Sequence, residues 1–255
     1  MQKQIEGESH GMGAEPGALR LSNGLRSIVD FVGRSASWLL VPLVLITCID
    51  VVARKLIWRA TDGSVQGLQV WLVQYVSKYF DSALMQELEW HFHTALFALI
   101  LGFGTIYNTH VRVDLIRDHV SFRNKVRLEF AGLTFFMLPF LLLTIYFSSA
   151  YVMDSYAVSE RSASAVGLTH RWVIKSIFVG GLVVATIAGI AVWLQIAYLI
   201  WGRQDHRFPL MTLEWPEEAG TKIEGKERIK LEDAPVEPVP PQVSAGNRAG
   251  VKAAE

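Results

Sequence analysis

The chain has a single cysteine, Cys48, inside an apolar block, so neither a disulfide framework nor a thiolate metal site can form within it. It has no surplus of either charge. Its 24 Lys and Arg residues balance 24 Asp and Glu, and no long basic element gathers them, which excludes the electrostatic footprint of a nucleic-acid binder. Glycine-rich phosphate loops and nucleophile elbows are also missing, so no enzymatic activity is expected and no catalytic residue can be named. The first 35 residues lack the apolar core and small-residue cleavage site of a secretory signal. The expectation is a retained N-terminus, with the first apolar block as an uncleaved anchor.

What is present is apolar surface, and it is segregated. The composition is 51% hydrophobic and only 19% charged, with a mean hydropathy of +0.29. Long apolar blocks alternate with charged connectors, as expected when lipid receives the apolar surface. Four blocks, at 37–57, 91–107, 130–151 and 172–201, approach the roughly 20 residues a membrane helix needs. Pro42, Pro139, Gly102 and Gly104 fall inside them and need not end a membrane helix, because neighbouring helices can replace lost backbone partners. Trp38, Trp58, Trp90, Trp172 and Trp201 mark the block edges at headgroup level. The expected fold is therefore an all-α integral membrane protein of four transmembrane helices. Ten basic residues flank the blocks on one side and seven on the other, which predicts both termini in the cytoplasm. Segment 1–36 is then a cytoplasmic N-terminal segment, 37–201 the membrane domain, and 202–255 a disordered cytoplasmic tail, with six of the nine prolines at or beyond Pro209.

Between the first two blocks, Val65, Leu68, Leu72, Tyr75, Val76 and Tyr79 recur at three- and four-residue steps. Two readings fit: an amphipathic helix in the outer interface, or an extension packed on the bundle. The middles of all four blocks hold no charged residue, only groups such as Thr47, Thr144, Thr186 and Gln195. Ion and proton pathways ordinarily place ionisable groups or broken helices near the midplane, so the chain looks unable to carry a charged substrate alone. The charges gather instead at helix ends. Asp50, Arg54, Glu87, Glu89, Asp154, Glu160, Arg171 and Lys175 share the outer level, where Lys175 and Arg171 are expected to pair with Asp50, Glu87 or Glu89, or else to stand as separately solvated charges. Gly181, Ala185 and Gly189, four residues apart, form a small-residue stripe that lets another helix approach. His91, His93 and His170 lie on one side and leave a b-type haem cytochrome as an alternative, although His91 and His93 point in different helical directions. A free-standing small channel or carrier is the third reading.

The second block reads QELEWHFHTALFALILGFGTIYNTHVRVDLI, from an acidic entry through an apolar helix to HVRVD. DVVARK, from Asp50 to Lys55, and GLTHRWVIK, from Gly167 to Lys175, follow the same order and spacing. In these features the chain resembles the small permease subunit, the DctQ family, of tripartite ATP-independent periplasmic (TRAP) transporters, over about residues 37–201. The resemblance implies three things: a large permease subunit that carries substrate and sodium, a periplasmic substrate-binding protein, and a scaffolding role for this chain in sodium-coupled uptake of an organic acid. It places the chain in a bacterial cell inner membrane and puts no cofactor in it. Within HVRVD, His110 is expected to cap the span, while Arg112 and Asp114 organise the cytoplasmic loop or merely set topology. Two features depart from the family pattern: Thr169 stands where similar proteins often have proline, and segment 58–81 is longer than in the simplest members.

Overall fold

The computed structural model describes residues 16–59, 65–110, 120–164, 166–202, 207–213, 215, 222–223 and 226–227. Within the first compact unit, which ends at Leu213, the helices are α1 (Gly17–Ser37), α2 (Leu40–Lys55), α3 (Leu68–Tyr75), α4 (Ser82–Ile106), α5 (Phe122–Gly132), α6 (Leu138–Ala157) and α7 (Trp172–Trp201). A short antiparallel hairpin, β1 (Ile57–Arg59) with β2 (Val65–Gly67), precedes α3. In the second unit, β3 (Lys222–Ile223) pairs antiparallel with β4 (Lys226–Glu227). Three helical stretches, Gly17–Lys55, Phe122–Ala157 and Trp172–Trp201, are long and apolar enough to cross a membrane. The architecture is thus a helical bundle consistent with a membrane protein. Helix α4 has 25 residues, but Glu87, Glu89, His91 and His93 make its first half polar.

The first helix begins some twenty residues before the expected 37–57 block. Leu19, Ser22, Val29, Gly33 and Ala36 are buried along one stripe of α1, while Arg20, Arg26 and Arg34 occupy the rest. A polar majority hid a helical face at i, i+3 and i+4 spacing, so the expected N-terminal segment is in part a member of the bundle. Pro42 sets the break between α1 and α2. Lacking an N–H, it cannot donate to the Trp38 carbonyl, and its ring crowds that group; the chain answers with a turn at Trp38 and Leu39 and a short Val41-to-Trp38 bond of 3.2 Å. Pro42 therefore does interrupt a helix. Near Pro139 the perturbation is milder, and α5 runs into α6 through one π-helical turn, Leu133–Met137.

Helix α7 lies at the centre of this unit. Ala188, Ala191, Val192 and Ile196 are all at 0% exposure. Its small residues allow a close approach by α4. A Cβ at Gly181 would stand 2.5 Å from the Ala98 backbone, and one at Gly102 would stand 2.9 Å from the Val184 carbonyl oxygen, with the buried Ala185 beside it. So α4 and α7 meet backbone to backbone, as small residues permit. Gly189 faces elsewhere, toward Met137 and Leu138. The stripe read as one seam serves two neighbours.

Candidate functional site

The polar side chains collect at two ends of the bundle, here called the Glu160 end and the Gln195 end. At the Glu160 end, the segment joining α6 to α7 folds into a tight hairpin. Arg161 pairs antiparallel with Thr169, Ser162 N–H donates to the Leu168 carbonyl (3.1 Å), and Arg171 N–H donates to that of Glu160 (3.2 Å). Ser159 and His170, with φ of 48° and 62°, take left-handed conformations at its two bends. Thr169, the departure from proline, thus forms part of the antiparallel pairing.

Acidic groups fasten this hairpin to the helices. Glu87, on α4, accepts from the Ser162 hydroxyl and from Leu168 N–H (2.6 Å), with Gly167 packed so close that a Cβ there would stand 2.8 Å from the carboxylate. Glu160 binds the Lys175 ammonium and accepts from the Ser155 hydroxyl at 2.6 Å, while Arg171 lies 3.9 Å from its other oxygen. The Lys175 bond first, and then the Ser155 hydroxyl, hold the Glu160 carboxyl below its ordinary range. Lys175 also sits 3.6 Å above the Tyr151 ring, a cation–π contact.

The expected partners were different. Lys175 and Arg171 pair with Glu160 rather than with Asp50, Glu87 or Glu89, because the hairpin carries Glu160 back over the start of α7. Asp50 has its own partners. Fully buried on α2, it accepts from the Ser82 hydroxyl (3.1 Å) at the start of α4 and meets Arg54 at 2.5 Å one turn along its own helix. Oε1 of Glu89 is buried and makes no hydrogen bond among the described residues. A cavity of 370 Å³ opens between α4 and the hairpin, lined by Gln86, Glu87, Trp90, His91, Ser162 and Arg171. The ring Nδ1 of His91 lies 2.6 Å from the Glu87 carbonyl, that of His170 lies 2.9 Å from the Thr169 hydroxyl, and His93 is exposed beside Phe97.

The buried contacts of the Gln195 end are made by neutral groups. Ser22, at 0% exposure, donates to the Ala191 carbonyl at 2.7 Å, and Trp193 Nε1 donates to Thr134 in the π turn at 2.9 Å. Gln195 is also buried. Its Nε2 donates to the Pro209 carbonyl (2.9 Å) and its Oε1 accepts from Met211 N–H (2.8 Å), reading the backbone of a segment that folds back after α7. Met211, Thr212 and Leu213 are buried there, so the expected disordered tail does not begin at 202. Apolar side chains and one amide hold it, a signal that composition alone does not carry. His110 places Nε2 3.3 Å from the Thr105 hydroxyl at the end of α4 and lines a 210 Å³ cavity with Glu129, Leu133 and Thr212. Arg112 and Asp114 lie outside the described residues. On α1, Asp30 accepts from the Tyr107 hydroxyl at 2.6 Å and pairs with Arg34 at 2.7 Å.

The arrangement can therefore hold helices in register at both ends, and at one end it presents a stiffened polar hairpin beside a cavity. Comparison with family models, with curated proteins and with solved structures finds no match to this chain.

Proposed function

We propose that the chain is the small membrane subunit of a TRAP-type transporter of the DctQ kind. In this reading four helical units cross a bacterial inner membrane: α1 with α2, α4, α5 with α6, and α7. Both termini are cytoplasmic. The bundle scaffolds a large permease subunit, which carries an organic carboxylate and sodium, and the Glu160 end contributes to docking of a periplasmic substrate-binding protein. The chain itself catalyses nothing and holds no cofactor.

The observation that carries the reading is the contact between α4 and α7. Backbones touching at Gly102 and Gly181 close the space between these helices there, while the ion pairs stand toward the bundle ends. A carboxylate needs compensating donors or cations along its path through lipid, and such a bundle offers a rigid surface in place of a path. The three quoted motifs support the family reading. The polar start of α4 fits a fourth span because Glu87 is shielded by the hairpin rather than by lipid.

Co-expression with a large permease and a binding protein encoded beside this chain tests the proposal. The expected result is co-purification with the permease and carboxylate flux only when all three are present. Flux through the purified chain alone, or no association with the permease, would overturn it.

A further inference from the structure

Helix α3 is an element whose sequence and surroundings disagree. Its eight residues, LQVWLVQY, are apolar except for two glutamines, and a helix apolar on nearly every side ordinarily lies inside something. Yet none of its residues is buried. Leu68 and Leu72 are half-buried, whereas Val70 and Tyr75 are 62% and 68% exposed, with Trp71 stacked near Tyr75 at 5.8 Å. The neighbouring hairpin extends the same character, with Ile57 and Val65 also exposed.

Position narrows what can cover this surface. Strand β1 starts two residues after α2 ends at Lys55, and the 3₁₀ turn Lys78–Phe80 leads directly into α4, so the whole element sits at the level where two long helices end. Among the described residues, its exposed charges are cationic: Lys55, Arg59 and Lys78. The nearby carboxylate of Asp81 is engaged in capping α4, accepting from Ala83 N–H at 2.9 Å. Aromatic and aliphatic side chains ringed by cations match a phospholipid headgroup layer, where rings sit at the polar boundary and basic stems reach toward phosphate.

We propose that β1, β2 and α3 lie in the headgroup layer at the Glu160 end, with Val70, Trp71 and Tyr75 toward the acyl chains and Lys55, Arg59 and Lys78 toward lipid phosphates. This inference rests on the membrane character of the fold and not on the transporter reading.

Cys48, exposed on α2, supplies an internal depth marker. The experiment places the full chain in nanodiscs of phosphatidylethanolamine and phosphatidylglycerol. A nitroxide is attached to Cys48, or to Val70→Cys or Tyr75→Cys in a Cys48→Ala background, so that either α3 variant can report if the other fails to fold. Collision with oxygen is compared with collision with a water-soluble nickel chelate. At α3 the oxygen-to-chelate ratio is expected to be several-fold above that of an aqueous label and below that at Cys48. A ratio matching an aqueous label would overturn the proposal in favour of a solvent-facing element. Exclusion of both reagents would overturn it in favour of a protein cover, either a partner or a second copy. Failure to co-purify with a permease would leave this measurement unaffected.

Discussion

The two ends of the bundle are closed by different chemistry. At the Glu160 end, carboxylates bind a hairpin through its backbone and hydroxyl groups, and the lysine that completes the pairing is itself shared with an aromatic ring. At the Gln195 end, a serine, a glutamine and a tryptophan make neutral hydrogen bonds within packed apolar side chains. The difference follows from the cost of burial. Neutral groups can be buried once each donor and acceptor is paired, whereas charges are cheaper to keep where solvent still reaches them. The hairpin contacts at the Glu160 end are consequently sensitive to pH and salt, and those of Ser22, Trp193 and Gln195 to side-chain shape.

The largest effect is expected at the seam on which both ends depend. Gly181→Ala drives a methyl group into the Ala98 backbone and should cost about 3 kcal/mol, the upper end of overpacking, seen as a fall in the detergent melting temperature. Gly180→Ala is the control. Nothing lies within 4 Å of a Cβ there, so it should leave stability unchanged or raise it by up to about 1 kcal/mol. A similar loss at both positions would show that the contact is not the cause.

Next in size is Gln195→Leu, which orphans the Pro209 carbonyl and the Met211 N–H at about 1 kcal/mol each, the low end because the short segment can open to water. The 207–213 segment should then become open to protease, equally at high and low salt. Ser22→Ala removes one buried bond and should cost about 0.5–1.5 kcal/mol, again without salt dependence. Smallest is Glu160→Gln at the other end. Because the folded carboxyl titrates below its ordinary range, its contribution is fully present above an unfolded value of about 4.3 and is lost as pH falls through the lower folded value. The variant should flatten the acid limb of a melting-temperature profile and match the parent where the parent's carboxyl is protonated. An unaltered acid limb would place the pH response elsewhere.

The long apolar stretches were legible because lipid demands length and composition, and both are written linearly. So was the gathering of charge at helix ends. Pairing was not. Sequence position along a helix gives depth, but the angle around the bundle depends on packing, so Lys175 could be placed level with Asp50, Glu87 and Glu89 without showing that Glu160 would reach it first. Helix α1 was hidden because Arg20, Arg26, Asp30 and Arg34 break up its apolar run while Leu19, Val29 and Ala36 carry its packing. The returning segment at 207–213 was hidden for another reason. Gln195 holds main-chain atoms, and main-chain atoms leave no mark in a sequence.

Ser22 and Ala191 are 169 positions apart, and the element that gathers α1, α4, α5 and α6 is α7. That ordering has a consequence for biosynthesis. A ribosome releases α1, α4, α5 and α6 before the helix they pack against exists, so the hydroxyl of Ser22 must wait for its acceptor. Closure of the bundle therefore waits for α7, and a chain truncated before Met211 would leave Gln195 Oε1 without its donor inside an otherwise complete set of helices.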